Sequence, residues 1–308
     1  MTKVFIDGSV GTTGLRIRER LAGRKDIELM TLPEELRKDP SARADALNTS
    51  AVSFLCLPDA AAMEAVSFVT DPDTVIIDTS TAHRVADGWV YGMPELSGQR
   101  EKLKAAKRIA NPGCHATGFI SLVAPLVAAG LIDRNARLSC FSLTGYSGGG
   151  KKMIAEYEAP EPDPLYRAPR QYALGQVHKH LPEMAKLCGL DHPPVFSPIV
   201  APYYAGMEVT VPLTPDQISA SAEEIREVYR AYYRQGLIRF AEAPDEAGFL
   251  SAGAFAGRDD LEVSVFGNEE RILLVSRFDN LGKGASGAAI QNMNLVLGLD
   301  EQEGLVVK

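Results

Sequence analysis

The chain has 308 residues, enough for two domains of ordinary size, and its 45% hydrophobic and 23% charged residues are those of a soluble globular protein. A net charge of −8 argues against a broad phosphate-neutralising surface for nucleic acid, leaving room only for a local basic patch. The four cysteines (Cys56, Cys114, Cys140 and Cys188) form no CxxC pair, so neither a zinc site, a redox dithiol nor a disulfide framework is signalled, and a reducing, cytoplasmic compartment is expected. No apolar run reaches membrane-spanning length, and the start "MTKVFIDGSVG" does not read as a signal peptide.

The first 110 residues alternate two patterns. "KVFID", "IELMTL", "VSFLCL" and "TVIIDTS" are short apolar runs that read as strands buried on both faces. "TTGLRIRERLAG" reads as a helix with Leu15, Ile17 and Leu21 near one side, and "DAAAMEAVSFV" as another, capped by Asp59. Strand alternating with helix predicts an α/β, doubly wound parallel sheet of Rossmann type.

Beyond "NPGC" the texture changes. "HATGFISLVAPLVAAGLI" predicts a buried helix despite Pro125. Three extended stretches follow, "ARLSCFSLTGYSGGG", "PPVFSPIVAPYYAGMEVTVPL" and "LEVSVFGNEERILLVSRFDN". They predict a mixed or antiparallel sheet, hence an α+β second domain. "SAEEIREVYRAYYRQG" is an amphipathic helix with Ser221 and Glu224 at capping-box spacing and Gly236 near its stop. "GKGASGAAIQNMNLVLGL" closes the chain as an apolar helix.

Several places carry chemistry. Gly8, Gly11 and Gly14 fall between the first strand and helix, where glycines let a backbone approach a pyrophosphate and the helix N-terminus favours the anion. The spacing is GxxGxxG rather than GxGxxG, and a plain tight turn is the alternative. The second strand ends in Thr31 and Leu32, without the acid that would bind a ribose hydroxyl. Arg37, Lys38 and Arg43 follow, so a 2′-phosphate and NADP are favoured over NAD, against the alternative of a solvated helix face. Cys114 lies after Asn111-Pro112-Gly113 at the mouth of a helix, a setting that favours a thiolate, although a structural thiol fits the same position. In "VHKHLPEM", His178 and His180 flank Lys179, and Glu183 is placed to orient one of them; a surface pair without a role is the alternative, and metal ligation is not expected. Arg84, after the fourth strand, suits a carboxylate or phosphate, and Lys151 beside Gly148–Gly150 an anion. Nucleotide fold, thiol and histidine together make one coherent chemistry: acyl transfer to sulfur, then hydride transfer.

In order along nearly the whole chain, "GSVGTTG", "LCLPDAAA", "IDTSTAHR", "YGMPEL", "NPGCHATG", "GYSGGGKK", "HKHLPEM", "FSPIVAPYYAGM" and "NLGKGASGAAIQNMN" resemble the N-acetyl-γ-glutamyl-phosphate reductase family, in its shorter form. That family is the arginine-pathway branch of the aspartate-semialdehyde dehydrogenase-like superfamily. The resemblance implies reduction of a small-molecule acyl phosphate, N-acetyl-glutamyl 5-phosphate, with NADPH. It implies no nucleic-acid or membrane partner, and a homodimer or homotetramer. It implies Cys114 as nucleophile, His178 as the acid/base or intermediate-stabilising group with His180 and Glu183 beside it, and Arg84 on the substrate anion. It further implies Gly8, Gly11, Thr12, Thr13 and Gly14 as the pyrophosphate turn. Ser147 and Gly148 would form one wall of the nicotinamide pocket, and Gly284 and Asn292 the other. The last helix would fold back, giving a nucleotide domain of 1–113 completed by 284–308 and a catalytic, dimerising domain of 114–283. Where the longer form has an aromatic residue and proline after the cysteine, this chain has His115 and Ala116; its "STAHR" likewise introduces His83. Both histidines therefore become candidates for the site.

Overall fold

The computed structural model describes residues 1–308 as two compact units, one of 1–113 with 285–305 and one of 114–284 with 306–308. The first unit opens with strand β1 (Thr2–Asp7), helix α1 (Thr12–Leu21), β2 (Ile27–Met30), α2 (Pro40–Thr49), β3 (Val52–Leu55), α3 (Asp59–Ser67) and β4 (Val75–Asp78). It continues with β5 (Val90–Tyr91), α4 (Gln99–Lys104) and β6 (Arg108–Ala110). The six strands pair only in parallel, in the order β2-β1-β3-β4-β6-β5. All four residues of β3 and of β4 are buried, as continuous apolar strands covered on both faces should be.

Two local differences from the sequence reading have plain causes. Asp59 does not cap α3: Pro58 holds the N-cap position, while the Asp59 carboxylate accepts from the backbone N–H and hydroxyl of Thr81. Arg43 is not a surface cation. It lies on α2, a helix whose polar sequence carries no apolar periodicity, capped by Asp39 with Pro40 at its first position. Its guanidinium reaches the buried Asp7 carboxylate at 3.0 Å and Glu64 at 2.7 Å. A carboxylate buried at the end of β1 needs a counter-ion, and Arg43 supplies it, so it is not available to a phosphate.

The second unit begins with α5 (Cys114–Ala128), which is buried almost throughout and contains Pro125. It continues with β7 (Ser139–Gly145), α6 (Gly150–Tyr157), β8 (Arg170–Gln171), α7 (Leu181–Cys188), β9 (Val195–Ala201) and β10 (Met207–Leu213). Then come α8 (Ala222–Tyr232), β11 (Ile238–Phe240), β12 (Leu261–Asn268) and β13 (Arg271–Phe278). The seven strands form a mixed sheet in the order β11-β12-β13-β10-β7-β9-β8. β7–β9 and β11–β12 are parallel and the other pairs antiparallel.

Helix α5 lies against this sheet. A Cβ at Gly118 would sit 2.4 Å from a methyl of Val209 on β10, so glycine is what permits the close approach. Pro125 has no N–H for the carbonyl of Ser121 one turn earlier. The hydroxyl of Tyr233, just past α8, donates to that carbonyl at 2.6 Å, and Tyr229 on α8 donates to Leu122 O at 2.6 Å. The expected capping box of α8 is present, Ser221 and Glu224 bonding reciprocally. After a π-helical turn (Gly282–Ser286) the chain enters α9 (Gly287–Val296), whose Ala289, Ile290 and Met293 join the core of the first unit.

Candidate active site

In the first unit, β1 runs into the turn Gly8–Gly14. Gly8 has φ of +84°, and a Cβ there would meet Cys56 O at 2.3 Å; at Gly14 it would meet Gly8 O at 2.5 Å. Both glycines are therefore required by the turn itself. Gly11 is different, since a Cβ there would make only ordinary contacts at 3.5 Å or more. Gly11 is also the N-cap of α1 and offers no side chain to the first N–H groups of the helix. Beside it the Thr12 hydroxyl oxygen is buried and has no hydrogen-bond partner within the protein. Open space over Gly11, uncapped N–H groups and an unmatched hydroxyl fit a pyrophosphate, and these residues would hold it.

In the second unit, Cys114 is the first residue of α5. It is partly exposed, whereas Cys140 and Cys188 are buried. Burial drives the Cys140 and Cys188 thiols far above their usual range. Cys56, in the first unit, is only partly covered, but burial of its thiol with the nearby Asp78 and Asp7 charges pushes it up to about 12. Cys114 is the one thiol at a helix N-terminus. Gly284 packs directly behind it: a Cβ there would lie 2.9 Å from that of Cys114, so a side chain at 284 would displace the thiol.

His115, the residue after Cys114, belongs to a cluster of three histidines, a tyrosine and a phenylalanine in the second unit. The ring of His178 meets those of His180, His115, Tyr172 and Phe196 at centroid separations of 4.7, 5.6, 5.9 and 5.1 Å. The His180 backbone N–H donates to His178 Nδ1 at 3.2 Å, which holds the neutral ring with its proton on Nε2. His180 is the N-cap of α7, and Glu183 one turn on is fully buried with its carboxylate 4.0 Å from His180 Nε2. His115 is buried between Ser142 and Tyr172, and that burial lowers its pKa to about 3. The Tyr172 phenol is held above its usual range by burial, with the Cys114 charge adding to it.

Sequence comparison gives this arrangement a family. A semialdehyde dehydrogenase NAD binding domain model matches residues 9–106, and a semialdehyde dehydrogenase dimerisation domain model matches 114–280. N-acetyl-gamma-glutamyl-phosphate reductase 2 of Nostoc sp. is 45% identical over 98% of this chain and 99% of its own length. The enzyme of the same name from Rhizobium etli is 44% identical over 96% and 98%. The chain belongs to the N-acetyl-γ-glutamyl-phosphate reductase family. In fold it is similar to aspartate semialdehyde dehydrogenase from Francisella tularensis (TM-score 0.71, 14% identity, 96% and 100% covered). It is also similar to the Candida albicans aspartate semialdehyde dehydrogenase solved with NADP (TM-score 0.69, 16% identity, 96% and 98% covered).

The other residues singled out from the sequence fall in varied settings. Arg84 donates to the carbonyls of Asn111 and Thr79, contacts that orient its guanidinium. Lys151 is exposed on the first turn of α6, next to Lys152, whose ammonium lies 3.9 Å from Glu156. Lys38 is exposed, and Arg37 makes a long bond to Leu32 O. Ser147 is buried and accepts from Asn280, whose amide oxygen in turn accepts from Gly206 N, while Gly148 is exposed. Asn292 is fully enclosed in the first unit, donating to Gly92 O and Asn111 Oδ1. There it acts as an internal tie behind Asn111. His83 belongs to the first unit too, bonded to Asp78 at 2.6 Å and stacked on Trp89.

Two participants escaped the sequence reading. Tyr172 lies six residues before His178, in a stretch without periodicity. Ser142 is one of several serines on a strand, and only strand parity, which turns it inward with Cys140 and Thr144, could have singled it out.

Proposed function

We propose that this chain reduces N-acetyl-L-glutamyl 5-phosphate to N-acetyl-L-glutamate 5-semialdehyde, releasing phosphate, with NADPH as reductant, as its arginine-pathway relatives are named for doing. One observation carries the reading beyond family membership. The only thiol at a helix N-terminus stands beside a histidine cluster, while the other three are held protonated by burial.

Cys114 sulfur attacks the acyl carbon, a C–S bond forms, and the C–O bond to phosphate breaks with its electron pair leaving on phosphate. The product is a thioester on Cys114, which divides one hard reduction into two easier steps. When bound, NADPH supplies the hydride that the thioester carbon accepts. His178, with its proton on Nε2, donates a hydrogen bond to the oxygen that gains charge and keeps that proton, and the charge returns into the C=O bond as the C–S bond breaks and the aldehyde leaves. Glu183 and His180 hold the start of α7 and so the position of His178. The Gly8–Gly14 turn with Thr12 and Thr13 binds the pyrophosphate, Arg37 and Lys38 the 2′-phosphate, and Arg84 and Lys151 the substrate anion. Ser147, Gly148 and Gly284 line the nicotinamide side.

No helix of this chain is long and apolar enough to cross a membrane. A cytoplasmic homodimer or homotetramer is the working form in this reading, and the matched dimerisation-domain model supports it.

The test is turnover in reverse. N-acetyl-glutamate semialdehyde, NADP and phosphate are supplied and NADPH formation is followed for the native chain and Cys114→Ser. Phosphate-dependent turnover that falls by about 10³-fold or more in the variant is expected. Turnover with aspartate semialdehyde instead would move the substrate, and silence with both would overturn the reading.

A further inference from the structure

Resting on the reading of Cys114 as nucleophile, we infer that Tyr172 is a fixed hydrogen-bond donor to the negative charge that forms at Cys114, its polarity set by a buried Ser142–His115 relay. The charge lies first on the thiolate sulfur and then on the oxygen of the acyl group attached to it.

The argument is one of hydrogen counting. His115 Nδ1 lies 2.6 Å from Ser142 Oγ, and His115 Nε2 lies 2.6 Å from the Tyr172 hydroxyl. His115 is neutral, so it carries one proton and accepts at its other nitrogen. Ser142 is fully buried and its hydroxyl has His115 Nδ1 as its single side-chain partner. If Ser142 accepted from Nδ1, its own proton would point at nothing, and a buried unsatisfied donor costs about 1–3 kcal/mol. Ser142 must therefore donate. Nδ1 accepts, Nε2 carries the proton, and Nε2–H donates to the Tyr172 oxygen. The phenolic O–H is then left to donate away from His115, at the first turn of α5, where Cys114 directly precedes His115 and its charge bears on the phenol. With the opposite tautomer Tyr172 would turn its proton inward and offer the site only an acceptor, which repels a thiolate. One strand serine thus decides the sign of the group beside the nucleophile.

The tautomer is directly observable. In protein labelled with ¹⁵N-histidine, with the His115 signals assigned by their loss in His115→Gln, the ring is expected as the neutral Nε2–H form between about pH 5 and 9. A neutral Nδ1–H ring, or titration in that range, overturns the inference.

The second readout is the rate at which iodoacetamide alkylates Cys114 as pH varies. Tyr172→Phe is expected to move the midpoint upward by about one unit and to lower kcat by ~10²-fold with KM within about twofold. Ser142→Ala, a fully buried change, is expected to move both the same way by about tenfold in rate, and Ser142→Thr to restore them. Native midpoint and kcat in both Tyr172→Phe and folded Ser142→Ala would sink the proposal. Should Ser142→Ala fail to fold, Tyr172→Phe and the tautomer decide alone. Cys114→Ser assayed in parallel separates the two readings: if it keeps its turnover the nucleophile is wrong, whereas the His115 tautomer stands or falls independently.

Discussion

His115 shows how much a single buried side chain constrains this protein. In the unfolded chain its pKa is near 6.5, and in the fold burial lowers it to about 3. Between those values the unfolded state binds a proton that the native state refuses, so stability falls as pH drops through that window, by up to about 1.4 kcal/mol per pH unit. Above about pH 6.5 the residue contributes nothing to the pH dependence. Replacing His115 by Gln is therefore expected to flatten the acid limb between about pH 6.5 and 4, measured by urea melts at several pH values, with no change in slope above neutrality. An unchanged acid limb in the variant would mean that His115 is protonated in the native state, which its two short bonds to neutral hydroxyls do not favour. His115 was legible in the sequence only as a departure from the longer family form. Its meaning needs Ser142 and Tyr172, 27 and 57 residues away.

At the scale of elements the sequence was read well where periodicity is strong. The four short apolar strands, α1, α5, α8 and the β12–β13 hairpin all stand where their patterns put them. Short or polar elements such as α2, β5 and β8 carry no such pattern. "YGMPEL" illustrates the limit. It stands out as a motif, yet its physical reason is tertiary: a Cβ at Gly92 would lie 2.3 Å from the Asn292 amide, and Glu95 accepts from Gln291. Helix α5 is the opposite case, because its proline is visible and the remedy is not. Tyr233 supplies a hydrogen bond to the carbonyl that Pro125 leaves open. Tyr233→Phe is expected to destabilise the chain by about 1–2 kcal/mol, the cost of a buried carbonyl without a donor. In the Pro125→Ala background the same change is expected to cost much less, since the backbone N–H restored at position 125 satisfies Ser121 O. A thermal-melt double-mutant cycle reads the difference, and equal costs in both backgrounds would show that Tyr233 acts through packing alone.

At the scale of the whole molecule, a sequence reading cannot see which face of the second sheet is covered. Strand register settles it. Val209, Leu274, Phe196 and Phe278 point to the side that carries α5, and all are buried. On the opposite side, Phe141 pairs with Ser197 and Thr210, Leu143 with Ile199, Pro212 with Leu273, and Leu273 with Phe266. Phe141, Val195 and Leu273 on that face are 46%, 62% and 41% exposed. These large exposed apolar side chains, interleaved with Ser197 and Thr210, are unfavourable in water, and a second copy of the same face is the cover we propose for them. An isologous contact repeats every substitution twice, so one charge placed centrally is felt in both copies. Phe141→Asp with Leu273→Asp is accordingly expected to shift the sedimentation of the protein from dimer or tetramer toward monomer. Lys151→Ala, an exposed change on α6, is expected to leave the assembly intact. Retention of the native assembly by the double variant would place the interface elsewhere, and this apolar face would then need another cover.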